Sequence, residues 1–308
     1  MAESLVQAAA EPRVVTSKAR VLLAIACALF MLWGVGTRVD GWSFGDLATL
    51  GAALRGGAPP RNRPQLLFLG DSLTERGENG DTSGWLTRVR NNYVRSADVV
   101  GRGFAGYNTN LLETTNGLEL TKSISRWCLE HVAPIIEQEL ETWLSPVLIT
   151  IWYGANDAAL SDGHNWVQHV PLDEYRANLH ALVRRMQSKA PHAEILLVTP
   201  PTVDDAKRQA KLKHGNRLDR SNNATRQYAE ACRQVAAEAG VPVLDAFAHF
   251  DAMATWRRRS YFVDGLHFNS RGNKEFDTIL REKIEETFPK LETRLERWQL
   301  PDWESFID

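Results

Sequence analysis

The sequence predicts an α/β fold in which a parallel sheet is covered by helices on both faces. Three observations carry that expectation. Short apolar runs of strand length recur at 65–69, 98–100, 147–153, 194–199 and 242–246. Longer segments with helical apolar spacing lie between them. Several of the runs break abruptly into Gly, Asn or Asp, residues that turn the chain at strand ends. Strands that alternate with helices need crossover connections, and crossovers produce parallel strands buried on both sides.

Residues 1–20 are polar and carry Arg13, Lys18 and Arg20 near their end. Residues 21–35 follow as an uncharged run, VLLAIACALFMLWGV. As a helix it would rise about 22 Å, short of the roughly 30 Å hydrocarbon core of a bilayer. Gly36 and Thr37 lengthen it, and Trp33 suits a membrane interface. A signal anchor, a cleaved signal peptide and a soluble or organelle-targeting helix all remain open readings. Positive charge precedes the run and only Arg38 follows closely, so an anchor would leave residues 1–20 cytosolic and the remainder lumenal or extracellular. Without an anchor the protein is secreted or intracellular.

Residues 38–63 are rich in Gly, Ala and Pro and read as a linker. The expected organisation is therefore an N-terminal segment at 1–20, a hydrophobic helix at 21–37, the linker, a main domain at 64–290 and a tail at 291–308. The tail carries Trp298, Trp303 and Phe306, which are expected to pack back on the domain.

Within the main domain the clearest helix is 172–186, with Leu172, Tyr175, Leu179, Leu182, Val183 and Met186 on one face. A second runs over about 224–239 and stops at Gly240, a natural C-cap. A third follows Gly272, carries the stripe Phe276, Ile279, Leu280, Ile284 and Phe288, and ends before Pro289. The basic run Lys207, Arg208, Lys211, Lys213, Arg217 and Arg220 contains no aromatics and reads as a solvated face.

The chain has 308 residues, 44% hydrophobic and 24% charged, with room for one large domain plus appendages or two small ones. A net charge of −2 argues against nucleic acid as a partner. Cys27, Cys128 and Cys232 are too few for a disulfide scaffold and lack C-x-x-C spacing. Cys128 and Cys232 could pair in an oxidising compartment. The sequon Asn223-Ala224-Thr225 would be usable only in a lumenal or extracellular domain. The histidines include no H-E-x-x-H pair, and His164 and His169 read as surface residues, so no metal site is expected.

Four short segments fall at predicted strand ends or just before the last helix. Gly70-Asp71-Ser72-Leu73 delivers a serine to the rim where ligands bind in open α/β sheets. Asp71 or Ser72 could equally cap the next helix. Gly101 to Asn108 is glycine-rich, which allows a backbone N–H to approach a ligand closely. Tyr153-Gly154-Ala155-Asn156-Asp157 closes the most apolar strand, and Asp264-Gly265-Leu266-His267 sets a carboxylate three residues from an imidazole. Each alone is compatible with a plain turn. Together they supply what ester hydrolysis by serine requires: a nucleophile, a base, an acid to hold the base, and oxyanion donors. The G-x-S-x-G elbow is absent, which argues against an α/β-hydrolase.

Gly-Asp-Ser-Leu at 70–73, Gly103, Asn156 and Asp264-x-x-His267 resemble, in order, the four blocks of the SGNH (GDSL) hydrolase family. GDSLTE at 70–75, RGFAGYNT at 102–109, YGANDA at 153–158, VPLDEYRANL at 170–179 and DGLHFNSRGN at 264–273 are similar to its isoamyl acetate-hydrolysing esterase branch. The resemblance spans about 65–290. It implies a flavodoxin-like three-layer α/β/α sandwich with five parallel strands in the order 2-1-3-4-5. It also implies Ser72 as nucleophile, His267 as general base and then acid, and Asp264 as the group that orients His267. The oxyanion hole would comprise the Ser72 and Gly103 N–H groups and the Asn156 side-chain amide. Gly154 would turn the chain so that Asn156 points inward, and Asp71 would brace its loop. Asn108 and Asp157 would stand behind the reacting groups.

The expected activity is hydrolysis of small-molecule esters with short acyl or acetyl groups, through an acyl-enzyme and without a cofactor. A lysophospholipase or carbohydrate acetylesterase, an acyltransferase, and a non-catalytic binding protein on the same scaffold are the alternatives. The last would predict loss of a catalytic residue, and none is missing. A real anchor would associate the domain with a membrane. The oligomeric state is not legible.

Overall fold

Five strands form one parallel sheet in the order β2-β1-β3-β4-β5: β1 (Gln65–Gly70), β2 (Asp98–Gly103), β3 (Pro146–Trp152), β4 (Glu194–Val198) and β5 (Val243–Leu244). The computed structural model describes residues 63–109, 131–299 and 302–306, all inside one compact unit, Arg61–Asp308. The helices are α1 (Ser72–Glu75), α2 (Trp85–Asn92), α3 (Ala133–Thr142), α4 (Leu172–Lys189), α5 (Asp205–Lys211) and α6 (Asn222–Ala239). They continue with α7 (Ala246–Asp251), α8 (Thr255–Arg259), α9 (Ser270–Thr287) and α10 (Pro289–Glu296).

Alternation along the strands divides the interior into two cores. Leu66 and Phe68 of β1, Leu148 and Trp152 of β3, and Leu196 and Val198 of β4 face α2, α9 and α10. Leu67, Leu69, Ile149, Ile151, Ile195 and Leu197 face α3, α4 and α6. The strands are apolar on both sides because both sides are covered. Of the helical stripe of α4, Tyr175, Leu179, Leu182, Val183 and Met186 are buried, and Leu172 in the first turn is half-buried.

Boundaries moved where pairing or capping overrode composition. Strand β2 runs to Gly103, beyond its apolar part, because its edge pairs residue by residue with β1 as far as Gly70↔Gly103. Strand β5 stops at Leu244 because Asp245 accepts from the Ala248 N–H and starts α7. Helix α9 begins at Ser270, two residues before Gly272, because the Asn269 side chain accepts from the Arg271 and Gly272 N–H groups.

Helix α10 buries Leu291 and Leu295 in the first core. Beyond it, the Gln299 N–H donates to the Arg95 carbonyl, Asp302 pairs with Arg95 at 3.7 Å, and the Arg95 guanidinium lies 4.9 Å from the Trp298 ring centre. The tail is thus tied to the domain, but Trp298 and Trp303 stay more than half exposed, against expectation. The partner of Trp298 is a cation at the surface rather than an apolar pocket. The Phe306 side chain lies outside the described residues.

At the amino ends of the strands, Arg63 donates from Nη2 to the carbonyls of Val94 (2.9 Å) and Ala97 (2.8 Å). Cys232 is a free, buried thiol against β4, and burial pushes its pKa up to about 12. Cys128, with which it could pair in an oxidising compartment, lies outside the described residues. The sequon falls in the first turn of α6, where Thr225 is buried and its hydroxyl donates to the Ser221 carbonyl. Among the described residues no helix is long and apolar enough to cross a membrane. The hydrophobic helix expected at 21–37 lies outside them.

Candidate active site

The register brings three strand ends level: Gly70 pairs with both Gly103 and Trp152. Ser72, the Gly103 segment and the loop after Trp152 therefore share one rim. At the centre, Asp71 caps α1 by accepting from the Leu73 N–H at 2.8 Å. The Trp85 indole donates to the Leu73 carbonyl at 2.9 Å and pins the same turn from inside the core. Ser72 is the first residue of α1, where backbone N–H groups have no acceptor within the helix. Gly103 packs directly on this turn. A Cβ there would lie 2.2 Å from the Glu75 nitrogen and 2.6 Å from the Thr74 carbonyl carbon, so only glycine fits.

The loop between α8 and α9 supplies the imidazole. It is closed by a Phe262↔Phe268 bridge and a Val263 N–H to His267 carbonyl bond of 2.8 Å. Asp264 accepts through Oδ1 from the N–H groups of Leu266 and His267. Its Oδ2 lies 2.8 Å from His267 Nδ1, and His267 Nε2 lies 2.9 Å from Ser72 Oγ. Burial opposes the Asp264 charge, but the bonds from the His267 ring and the two backbone donors hold its carboxyl well below the usual range. An ionised carboxylate only accepts, so Nδ1 carries the proton and Nε2 is left to accept from the Ser72 hydroxyl. Burial also lowers the His267 pKa below its ordinary 6.5, outweighing the opposite pull of Asp264. The imidazole is therefore neutral at physiological pH.

Across the rim, Gly154 adopts φ +126, a conformation that L side chains rarely take, and turns the chain after β3. Asn156 follows and is buried. Its Nδ2 donates to the Tyr107 carbonyl at 2.7 Å and its Oδ1 accepts from Arg220 Nη2 at 3.0 Å. Asp157 Oδ1 accepts from the Thr109 N–H (2.8 Å) and hydroxyl (2.5 Å), and Asn108 Nδ2 donates to the Gln168 carbonyl. The expected supporting residues thus stitch the glycine-rich segment to the loop after β3.

The basic run at 207–220 is a correction. Lys211, Lys213 and Arg217 are exposed as expected, but Arg208 and Arg220 are not a solvated face. Arg208 pairs bidentately with Asp219 at 2.8 and 2.7 Å and also reaches Asp264 Oδ2 at 3.1 Å. Arg220 is 1% exposed and donates to Ala155, Asn156 and Gln168. Asp264 and the Arg220 partners Ala155, Asn156 and Gln168 come from 52–65 residues away, so charge spacing could not reveal them. Asp219, 11 residues after Arg208 and next to Arg220, is the local trace.

The arrangement can activate a serine hydroxyl and offer amide donors beside it. Among the described residues no cluster of three His, Cys, Asp or Glu could hold a metal.

The sequence model of the GDSL-like lipase/acylhydrolase family matches residues 68–275. The isoamyl acetate-hydrolyzing esterase 1 homolog of Bos taurus is 35% identical over 238 residues, 77% of this chain and 87% of that protein. A GDSL esterase/lipase of Arabidopsis thaliana is 33% identical over 229 residues, 71% of this chain and 85% of the plant protein. The structure of an aryl esterase from M. smegmatis superposes with a TM-score of 0.51 at 20% identity, covering 73% of this chain and 99% of that one, which is a likeness of fold. The family model spans the segments that carry Ser72 and His267, and with relatives of this identity and coverage the chain belongs to the GDSL-like lipase/acylhydrolase family.

Proposed function

We propose that this protein is a serine esterase that hydrolyses short-chain acyl or acetyl esters through an acyl-enzyme. Hydrolysis of carboxylic esters follows from the family; the residue roles and acyl class are inferred. The observation that carries them is the continuous chain Ser72 Oγ–His267–Asp264, with bonds of 2.9 and 2.8 Å. The name of the bovine relative, an isoamyl acetate-hydrolyzing esterase homolog, supports the acyl class.

In this reading His267 Nε2 takes the Ser72 proton as Oγ attacks the ester carbonyl carbon. The charge moved onto the carbonyl oxygen is met by the Ser72 and Gly103 N–H groups and by the Nδ2 hydrogen of Asn156 that Tyr107 does not use. Asp264 stabilises the imidazolium. Collapse of the adduct breaks the carbon–alkoxy bond, and His267 returns its proton to the departing alcohol. Water then attacks the acyl-Ser72 ester, again giving its proton to His267, and the carboxylic acid and free Ser72 are regenerated. The hydrolase domain at 64–290 carries these steps, with the run at 21–35 as a tether that would associate it with a membrane.

The test is direct. Wild type and Ser72→Ala are treated with a fluorophosphonate and assayed on p-nitrophenyl acetate, butyrate and octanoate. Labelling and turnover should occur in wild type, favour the shorter esters and vanish in the variant. Turnover that survives Ser72→Ala would refute the assignment.

A further inference from the structure

We propose, on the strength of the serine-esterase reading above, that Arg220 is a positioning residue of the oxyanion hole. It holds the Asn156 carboxamide with its oxygen inward, so that the amino group faces the reacting ester.

The two ends of a carboxamide are nearly identical in shape, and hydrogen-bond partners decide which way it points. Arg220 offers donors only and touches Oδ1, while the Tyr107 carbonyl is an acceptor only and touches Nδ2. A flipped amide would set donor against donor and acceptor against acceptor. The present orientation uses one Nδ2 hydrogen on Tyr107 and leaves the second for a ligand.

Arg220 is itself immobilised. Its Nε donates to the Ala155 carbonyl at 2.7 Å, so it grips the backbone one residue before the side chain it orients. Nη2 also donates to Gln168 Oε1 at 2.6 Å, and Nη1 to the Asp219 carbonyl at 3.0 Å. Gln168 in turn donates to the Gly106 carbonyl and, through its own carbonyl, accepts from Asn108. One guanidinium therefore joins the loop after β3 to the glycine-rich loop.

A cation this deeply buried would be costly unless paired. Asp219 lies 3.6 Å from it; the nearby Arg208 charge opposes that of Arg220, while Asp71 and Asp157, each with a buried Oδ2 that lacks a hydrogen-bond partner, favour it. Burial lowers the Arg220 pKa only to about 10, so it stays protonated at neutral pH. Asp219 is also the bidentate partner of Arg208, which reaches Asp264. The acid that orients His267 and the amide that would meet the oxyanion are thereby braced by one Arg–Asp–Arg strut.

The experiment compares Arg220→Lys, Arg220→Met, Asn156→Ala and the double variant Arg220→Lys/Asn156→Ala in the full chain, with Ser72→Ala as control. Lysine keeps the buried charge but cannot make the fork, so it decides the matter should the methionine variant fail to fold. For Arg220→Lys we expect kcat to fall by roughly 10- to 100-fold, less than the 10²- to 10³-fold of an oxyanion donor lost outright, because the amide is misaligned and not removed. KM should change little, and affinity for a trifluoromethyl ketone, which binds as a tetrahedral oxyanion, should weaken in parallel with kcat. The double variant should be no slower than Asn156→Ala, because Arg220 acts through that amide. Wild-type kcat in Arg220→Lys, a loss confined to KM, or a full additive loss in the double variant would each overturn the assignment. Activity that does not depend on Ser72 would instead overturn the esterase reading beneath it.

Discussion

The two sides of the site are built differently. The proposed acid–base side is local: Asp264 and His267 are three residues apart, share one turn, and bond to each other through side chain and backbone. The proposed oxyanion side is long-range: Asn156 is held by Tyr107, 49 residues before it, and by Arg220, 64 residues after it. A histidine paired within its own turn keeps its geometry as long as the loop is folded. The Asn156 amide keeps its geometry only while three separate loops stay in register. The first should be fragile to the loss of a reacting group, the second to the loss of support.

The largest effect should come from the local side. Asp264→Asn leaves the turn intact but removes the charge that fixes the Nδ1 proton, and kcat should fall by about 10⁴-fold, the scale seen when a triad acid is neutralised. A loss of tenfold or less would mean that His267 is oriented by something else. Next, Asn156→Ala should lower kcat by roughly 10²- to 10³-fold with KM nearly unchanged. An effect on KM alone would move Asn156 from the transition state to substrate binding.

The pH profile separates the two sides. His267 must be neutral to accept the Ser72 proton, and its pKa lies below 6.5, so kcat/KM should rise through an inflection below that pH and be flat at neutrality. Asn156→Ala should leave the inflection in place. Asp264→Asn should move it lower still, because the Asp264 charge raises the His267 pKa. A rising limb centred above pH 7 would be incompatible with the neutral imidazole inferred here.

The smallest effect concerns the buried acids under the oxyanion side. Burial raises the Asp71 pKa from 3.8 to about 7. The folded state therefore binds a proton that the unfolded chain has released, and this contribution to stability is lost as pH rises from about 4 to 7. Asp71→Asn keeps the capping oxygen for the Leu73 N–H and removes the titration. Its melting temperature relative to wild type should climb over that window and level off above it. A difference that stays constant with pH would place the Asp71 pKa near its ordinary value.

The same contrast explains what could be read from the chain alone. Strands β1, β3 and β4 announce themselves as apolar runs, and α4, α6 and α9 as periodic stripes, because their burial pattern is written in adjacent residues. Ser72, Gly103, Asn156, Asp264 and His267 stand in short motifs for the same reason. Arg208, Asp219 and Arg220 do not. A lysine or arginine run looks the same whether water or buried acceptors receive it, and only folding turns Asp219 inward and brings up Asp264, Asn156 and Gln168. The end of β5 is not legible because a capping aspartate, not a change in hydrophobicity, stops it.

The Arg63 clasp on Val94 and Ala97 fixes where the preceding chain leaves the domain: at the amino ends of the strands. Ser72 opens at the carboxyl ends, roughly 20 Å away along a six-residue strand. The two ends of β1 therefore do separate work: one is clasped by Arg63, and the other presents Ser72, so substitutions at the clasp should alter stability while leaving the geometry around the serine as it is.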